Sequence, residues 1–188
     1  VLAAEGRYVF HVTTHQSLKD AIASLTVDKV YSRIHLAHLL ALALGQEKDL
    51  IGVAGVNPHA GEGGLFGREE IDIIAPAVEK AVQKGIPATG PIPADVLFPK
   101  MARGGFHFAV AMYHDQGHAV FKALYFDTGV NITIGLPVIR TSVDHGTAFD
   151  IAGKGIANAQ SMVEAVSLAA KLGNSRQEIS RKAQLGEG

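Results

Sequence analysis

The chain has no cysteine. That excludes disulfides and thiolate metal sites, and it fits a reducing compartment such as the cytoplasm. Net charge is almost absent too: 17 Lys and Arg stand against 18 Asp and Glu. No global field draws such a chain toward nucleic acid or an anionic membrane. Long apolar runs are also missing. The best candidate, "LAHLLALALG" (36–45), is interrupted by His38, ends at Gly45 and is too short for a membrane span. What is there is glycine and apolar surface. The 188 residues include 21 glycines and are 47% hydrophobic, the profile of a soluble α/β enzyme with a sizeable core. The first residue is Val1, and "GRYVFHV" reads as a strand rather than a signal peptide. A part of a longer polypeptide is expected.

Strands alternate with helices along the chain. Val9–Val12 predicts a strand. Ser17 predicts a cap for a helix through "LKDAIASL", and a second helix runs from Val27 to Leu44 with Gly45 as its stop. "LIGVAGV" (50–56) predicts a buried strand, followed by the glycine-rich loop "NPHAGEGGLFG" and the helix "REEIDIIAPAVEKAVQKG". "GPIPADVLFPKMARG" reads as a proline-rich turn and a short helix. "FHFAVAMYH" is continuously apolar, as a central strand covered on both faces would be. "DQGHAVFKAL" predicts one or two helical turns, and "GVNITIGLPVIRTS" predicts two short strands divided by Leu136-Pro137. A helix within "GIANAQSMVEAVSLAAKLG" closes a unit of residues 1–173, and residues 174–188 form a polar tail or terminal helix. The alternation predicts an α/β fold with a largely parallel or mixed sheet.

Open α/β sheets bind ligands beyond the carboxyl ends of their strands. Three predicted strands lead into a histidine there: His15 after "VFHVTT", His59 after "LIGVAGVNP" and His114 after "AVAMY". Three imidazoles from three strand ends suit a divalent metal such as zinc with positions left open for substrate. Asp95 and Asp115 are candidate hard ligands, or acceptors for the far imidazole N–H. A single histidine is more often structural than a ligand, and His11, His35, His38 and His107 are read that way from their places in strands and helices. Lys122, Asn131 and Arg140 lie on or beside apolar segments, where a charge needs a partner. Arg140 offers a fork for a carboxylate or phosphate, and Lys122 an anion contact or a proton-transfer group. Ordinary salt bridges explain these residues equally well. The loop "DHGTAFDIAGKGIAN" (144–158) is costly to order and makes sense if its backbone wraps a flat ligand.

"HGTAFDIAGKGIAN" resembles the adenosine-binding loop of the isocitrate and isopropylmalate dehydrogenases. Thr147 and Phe149 stand where that pattern has serine and proline. "TTH", "NPHAGEGGLFGREE", "GPIPAD", "YHDQGH" and "GVNITIGLPVIRTSVDHGTA" together resemble a narrower branch, the 4-hydroxythreonine-4-phosphate dehydrogenase family. Its paralogues act on four-carbon sugar-acid phosphates such as D-threonate and D-erythronate 4-phosphate. The resemblance implies a three-layer α/β/α fold, present here as its C-terminal portion. It implies His15, His59 and His114 as metal ligands, with zinc foremost and magnesium or cobalt as substitutes. It implies Lys122, Asn131 and Arg140 as substrate contacts, and Lys122, Asp95 or Asp115 in proton transfer. His145, Gly146, Thr147, Ala148, Asp150 and Asn158 would hold NAD, or NADP. A homodimer with a shared active site is implied, in which His114 reaches the partner's site. The reaction would be oxidation, with decarboxylation, of 4-phosphohydroxythreonine in pyridoxal phosphate biosynthesis, or of a sugar-acid phosphate. His118 has no matching role and is expected to be a bystander. A metal-dependent hydrolase using the same histidines, or a non-catalytic paralogue that binds a ligand, are the competing readings from other classes.

Overall fold

The structure, a computed structural model, describes residues 1–136 and 138–185, with side chains described as far as residue 174. Its strands are β1 Leu2–Ala4, β2 Arg7–His11, β3 Ile51–Ala54, β4 Ala88–Ile92, β5 Phe108–Ala111, β6 Val130–Thr133 and β7 Arg140–Val143. They form one sheet in the order β4-β3-β5-β2-β1-β6-β7. The β4, β3, β5 and β2 strands run parallel, with Tyr8–His11 opposite Phe108–Ala111 and Ile51–Val53 opposite Phe108–Val110. From β2 onward to β7 the neighbours are antiparallel. The sheet is therefore mixed.

Side chains alternate between two cores with the strand period of two. Tyr8, Phe10, Phe108 and Val110 point to one, and Val9, Ala109 and Ala111 to the other. On the first face lie α2 (Val27–Ala43), α3 (Ala75–Gln83) and α6 (Gln160–Leu185). On the second lie α4 (Ala94–Ala102) and α5 (His114–Tyr125). The result is three layers, α/β/α, as the resemblance implies. A short helix, α1 (Leu18–Ala23), follows β2.

The local signals hold in detail. Ser17 Oγ accepts from the Asp20 N–H at the start of α1, and Thr26 Oγ1 accepts from the Lys29 N–H at the start of α2. Gly45 follows α2 in the left-handed conformation. Two strands escape sequence reading. β1 is a three-residue strand joined to β2 by Glu5 and Gly6, both at positive φ, a two-residue hairpin. β4 occupies "ATGPI", which reads as a turn because of Pro91. It lies at the sheet edge, where a missing N–H costs no ladder bond. The α5 helix has twelve residues rather than one or two turns, because it continues past Lys122 to Tyr125. The helix after the glycine loop opens with a wide π-turn, Glu70–Ile74, before α3. α6 continues through the polar stretch that begins at Asn174.

Candidate functional site

The carboxyl ends of β2, β5 and β3 are stitched together by buried polar side chains. Thr13, just past β2, donates from its hydroxyl to the Met112 carbonyl at 2.8 Å. Gln116 accepts from the Met112 N–H and donates to the Gly55 carbonyl, both at 2.6 Å, so it ties the exit of β5 to that of β3. Glu70 is 2% exposed and accepts from the N–H groups of Val56 and Asn57, each at 2.7 Å, and from Asn57 Nδ2 at 2.9 Å. Buried polar groups must be satisfied, and these satisfy the backbone where the strands stop. Gly61, at φ 80°, is required by the same clamp. A Cβ there would stand 2.7 Å from Glu70 Oε2.

Above this platform lies a cleft of about 750 Å³. His15 and His114 both line it, with ring centroids 5.7 Å apart. His114 begins α5, and its Nδ1 lies 2.7 Å from Asp115 Oδ1. A carboxylate only accepts, so Nδ1 is the donor in this contact, and in the neutral ring Nε2 keeps its lone pair. Asp115 thus stands as acceptor to the far ring nitrogen of His114. Lys122 and Asn131 line the same cleft. Lys122 Nζ donates to the Asp144 carbonyl at 3.1 Å and lies 3.6 Å from Asp144 Oδ2.

Other expected residues stand apart. His59 does not line this cleft. It begins a left-handed run from His59 to Gly63 after β3. Among the described residues no group of three or more His, Asp or Glu is placed to hold a metal ion within this chain. Asp95 is exposed in the first turn of α4, and Arg140 is exposed at the start of β7, donating to Thr133 Oγ1 at 2.9 Å. Neither lines the cleft, although Thr133 does.

Backbone strain falls on some of the expected residues. His15 (φ 52°), His59 (φ 52°) and Ala148 (φ 49°) are among the non-glycine residues held in the left-handed region. Such conformations cost about 1–2 kcal/mol each and persist where the surroundings enforce them, often at ligand sites.

A second cleft, of about 630 Å³, is built from the 144–158 loop and the end of α5. His145, Gly146, Thr147, Ala148 and Asn158 line it together with Phe126, Asp127 and Ser161, whereas Asp150 does not. Asp144 lines the first cleft and His145, the next residue, the second.

The sequence matches the protein family described as pyridoxal phosphate biosynthetic protein PdxA over residues 1–169. The chain belongs to this family. Within the PdxA family it is similar to a D-threonate 4-phosphate dehydrogenase from Bordetella bronchiseptica, 56% identical over 92% of this chain and 49% of that protein. It is 53% identical to a 4-hydroxythreonine-4-phosphate dehydrogenase from Beijerinckia indica over 86% of this chain and 48% of that protein. A crystal structure of a 4-hydroxythreonine-4-phosphate dehydrogenase from Klebsiella pneumoniae matches with a TM-score of 0.81 at 49% identity, over 90% of this chain and 51% of that one. The chain thus spans about half the length of these relatives.

Several residues of these clefts were not singled out in the sequence. Gln116 and Glu70 look like ordinary helix-surface polar residues there; their burial appears only when strand exits and helix starts meet. Arg33 comes from α2 to line the first cleft, with Nε donating to the His11 carbonyl at 3.1 Å. His11 lies in β2 as expected, but it also lines the cleft; burial, and then the His118 imidazole beside it, push it down to about 3. His118 also lines the cleft, and burial, followed by the nearby His114, lowers it. The structural readings of His35, exposed on α2, and His107, paired with Asp49, agree with their surroundings. Among the described residues no helix is long and apolar enough to cross a membrane.

Proposed function

We propose that this chain is the C-terminal portion of an NAD- and divalent-metal-dependent dehydrogenase that oxidises, with decarboxylation, a phosphorylated four-carbon hydroxy acid. The observation that carries the reading is the junction at Asp144 and His145, where a cleft of imidazoles and a lysine adjoins a cleft formed by the adenosine-type loop. A hydride passes directly between substrate and nicotinamide, so the two sites must be neighbours. A hydrolase would leave the second cleft without a role.

His15, His59 and His114 fit a metal by donor chemistry, the Asp115 contact supports His114, and the set would close across a homodimer with a shared site to which each chain lends His114. A bound divalent cation supplies Lewis acidity toward the alcohol and carboxylate oxygens. The chain's own residues hold the substrate. Lys122 keeps its ammonium at the cleft through Asp144 and donates to an anionic oxygen. Asn131 adds an amide, and Arg140 at the rim offers its guanidinium to the phosphate or carboxylate. Asp115, the cleft-lining carboxylate of the two considered, is the better placed for proton transfer. The 145–158 loop holds the dinucleotide through its backbone.

D-threonate 4-phosphate is the favoured substrate, supported by the Bordetella relative. A second reading, 4-phosphohydroxythreonine, is supported by the family description and the Beijerinckia relative. A panel of D-threonate, D-erythronate and hydroxythreonine 4-phosphates, assayed on the full-length enzyme by NADH formation, tests both. Turnover of none of the three would reject the reading, and phosphate release without NAD would favour a hydrolase.

A further inference from the structure

The geometry points to His118 as a positioning residue that fixes the imidazole of His114 in the first cleft. The inference builds on the proposal that His114 is a metal ligand. Its observations are independent of any metal.

His118 lies one helical turn after His114 on α5. The two rings stack with centroids 3.7 Å apart and planes 8° from parallel. His118 Nδ1 donates to the His114 carbonyl at 3.1 Å, which holds its own ring in place. Beneath it lies His11, with centroids 4.4 Å apart. His11 is backed by α5 itself, because Gly117 lets the helix approach so closely that a Cβ there would fall 2.2 Å from His11 Nε2. The His114 ring therefore rests on a stack that ends on β2.

His114 has need of such a support. Its hydrogen-bond partner Asp115 has a side chain 84% exposed, and an exposed carboxylate does not hold a ring by itself. Rotation about the second side-chain torsion of histidine is broad and roughly two-fold. A flip exchanges the protonated Nδ1 edge with a carbon edge and turns Nε2 away from its direction. A flat neighbour at 3.7 Å blocks the intermediate angles. The bland alternative, a histidine that merely fills the helix surface, predicts no effect on His114.

The test compares full-length wild-type protein with His118→Ala, His118→Phe and His114→Ala. Nitrogen-15 NMR of the histidine rings in the metal-free protein reads the His114 tautomer directly. Wild type and His118→Phe should show one Nδ1–H form, and His118→Ala an averaged signal. Zinc affinity, titrated calorimetrically, should fall about tenfold in His118→Ala, the lower end for loss of an outer partner of a ligand, and recover to within about threefold in His118→Phe. Thermal midpoints serve as the folding control. An unchanged His114 signal in His118→Ala would overturn the inference. So would zinc affinity unchanged in His118→Ala but lost in His114→Ala. Unchanged affinity in His114→Ala rejects the ligand assignment instead, and the NMR comparison still decides the positioning role.

Discussion

The two clefts are made of different material. The first sits on the carboxyl edge of parallel strands, and three buried polar side chains, Thr13, Gln116 and Glu70, lock that edge. The second is a glycine-bearing loop, and the buried polar residue there is Ser161, which donates to the Gly129 carbonyl at the foot of α6. Around the first cleft neighbouring imidazoles have ring centroids 3.7–6.4 Å apart, and the His114–His118 pair is stacked. Around the second, every residue from His145 to Asp150 is exposed. Chemistry that needs atoms held to fractions of an ångström belongs on rigid elements, while a flat ligand held by backbone tolerates a loop.

That contrast is open to direct attack. Glu70→Ala should do the most damage to stability. It orphans the Val56 and Asn57 N–H groups and releases the turn that carries His59, at about 3 kcal/mol, read as a lowered urea midpoint. Glu70→Gln, which keeps an acceptor, should lose distinctly less. Lys122→Met should lower kcat/KM of the full-length enzyme on the order of 100-fold. Its effect on folding should stay within about 1 kcal/mol, since the Lys122–Asp144 pair is partly exposed. A loss of stability instead of turnover would make Lys122 a structural residue.

Gly117→Ala probes the close approach of α5 to β2. Overpacking against His11 and Val9 costs about 3 kcal/mol and better helix propensity returns about 1, leaving a net loss of about 2 kcal/mol in chemical denaturation. A stabilised variant would show that the stack yields easily. His11 makes the edge sensitive to acid. Its pKa falls from an unfolded value near 6.5 to about 3 on folding, so the unfolded chain takes up the proton first. The resulting stability is present above pH 6.5 and is lost as pH falls from there toward 3. Between pH 7 and 5.5 the loss should be about 1 kcal/mol, and His11→Asn should flatten that slope when urea midpoints are compared. The smallest effect is expected in the second cleft. Ala148→Gly relieves a left-handed alanine but adds chain entropy to the unfolded state, two terms of about 1 kcal/mol that nearly cancel. A large change there would mean the loop is as rigid as the sheet edge.

Much of this was legible along the chain. Continuous apolar runs mark β3 and β5, the cap at Ser17 and the stop at Gly45 mark helix ends, and histidines after strand ends point to the carboxyl edge. The second cleft is legible from local composition, because most of its lining residues are neighbours in sequence between 145 and 158. The residues that hold the first cleft together were not legible. Gln116 reaches back 61 residues to Gly55 and Glu70 reaches back 14 to Val56, and nothing local distinguishes a clamping carboxylate from a solvated one.

Residue pattern by itself determined the α/β class, the order of most elements and the residue types offered to the site. Tertiary structure decided which of them meet. It brought His15, His114, Lys122 and Asn131 into one cleft, left His59, Asp95 and Arg140 outside it, and set His118 against His114. The physical reason is reach. Propensity, capping and period act within a few residues, whereas a site is assembled where distant strand ends are forced side by side by the burial of the sheet's two faces.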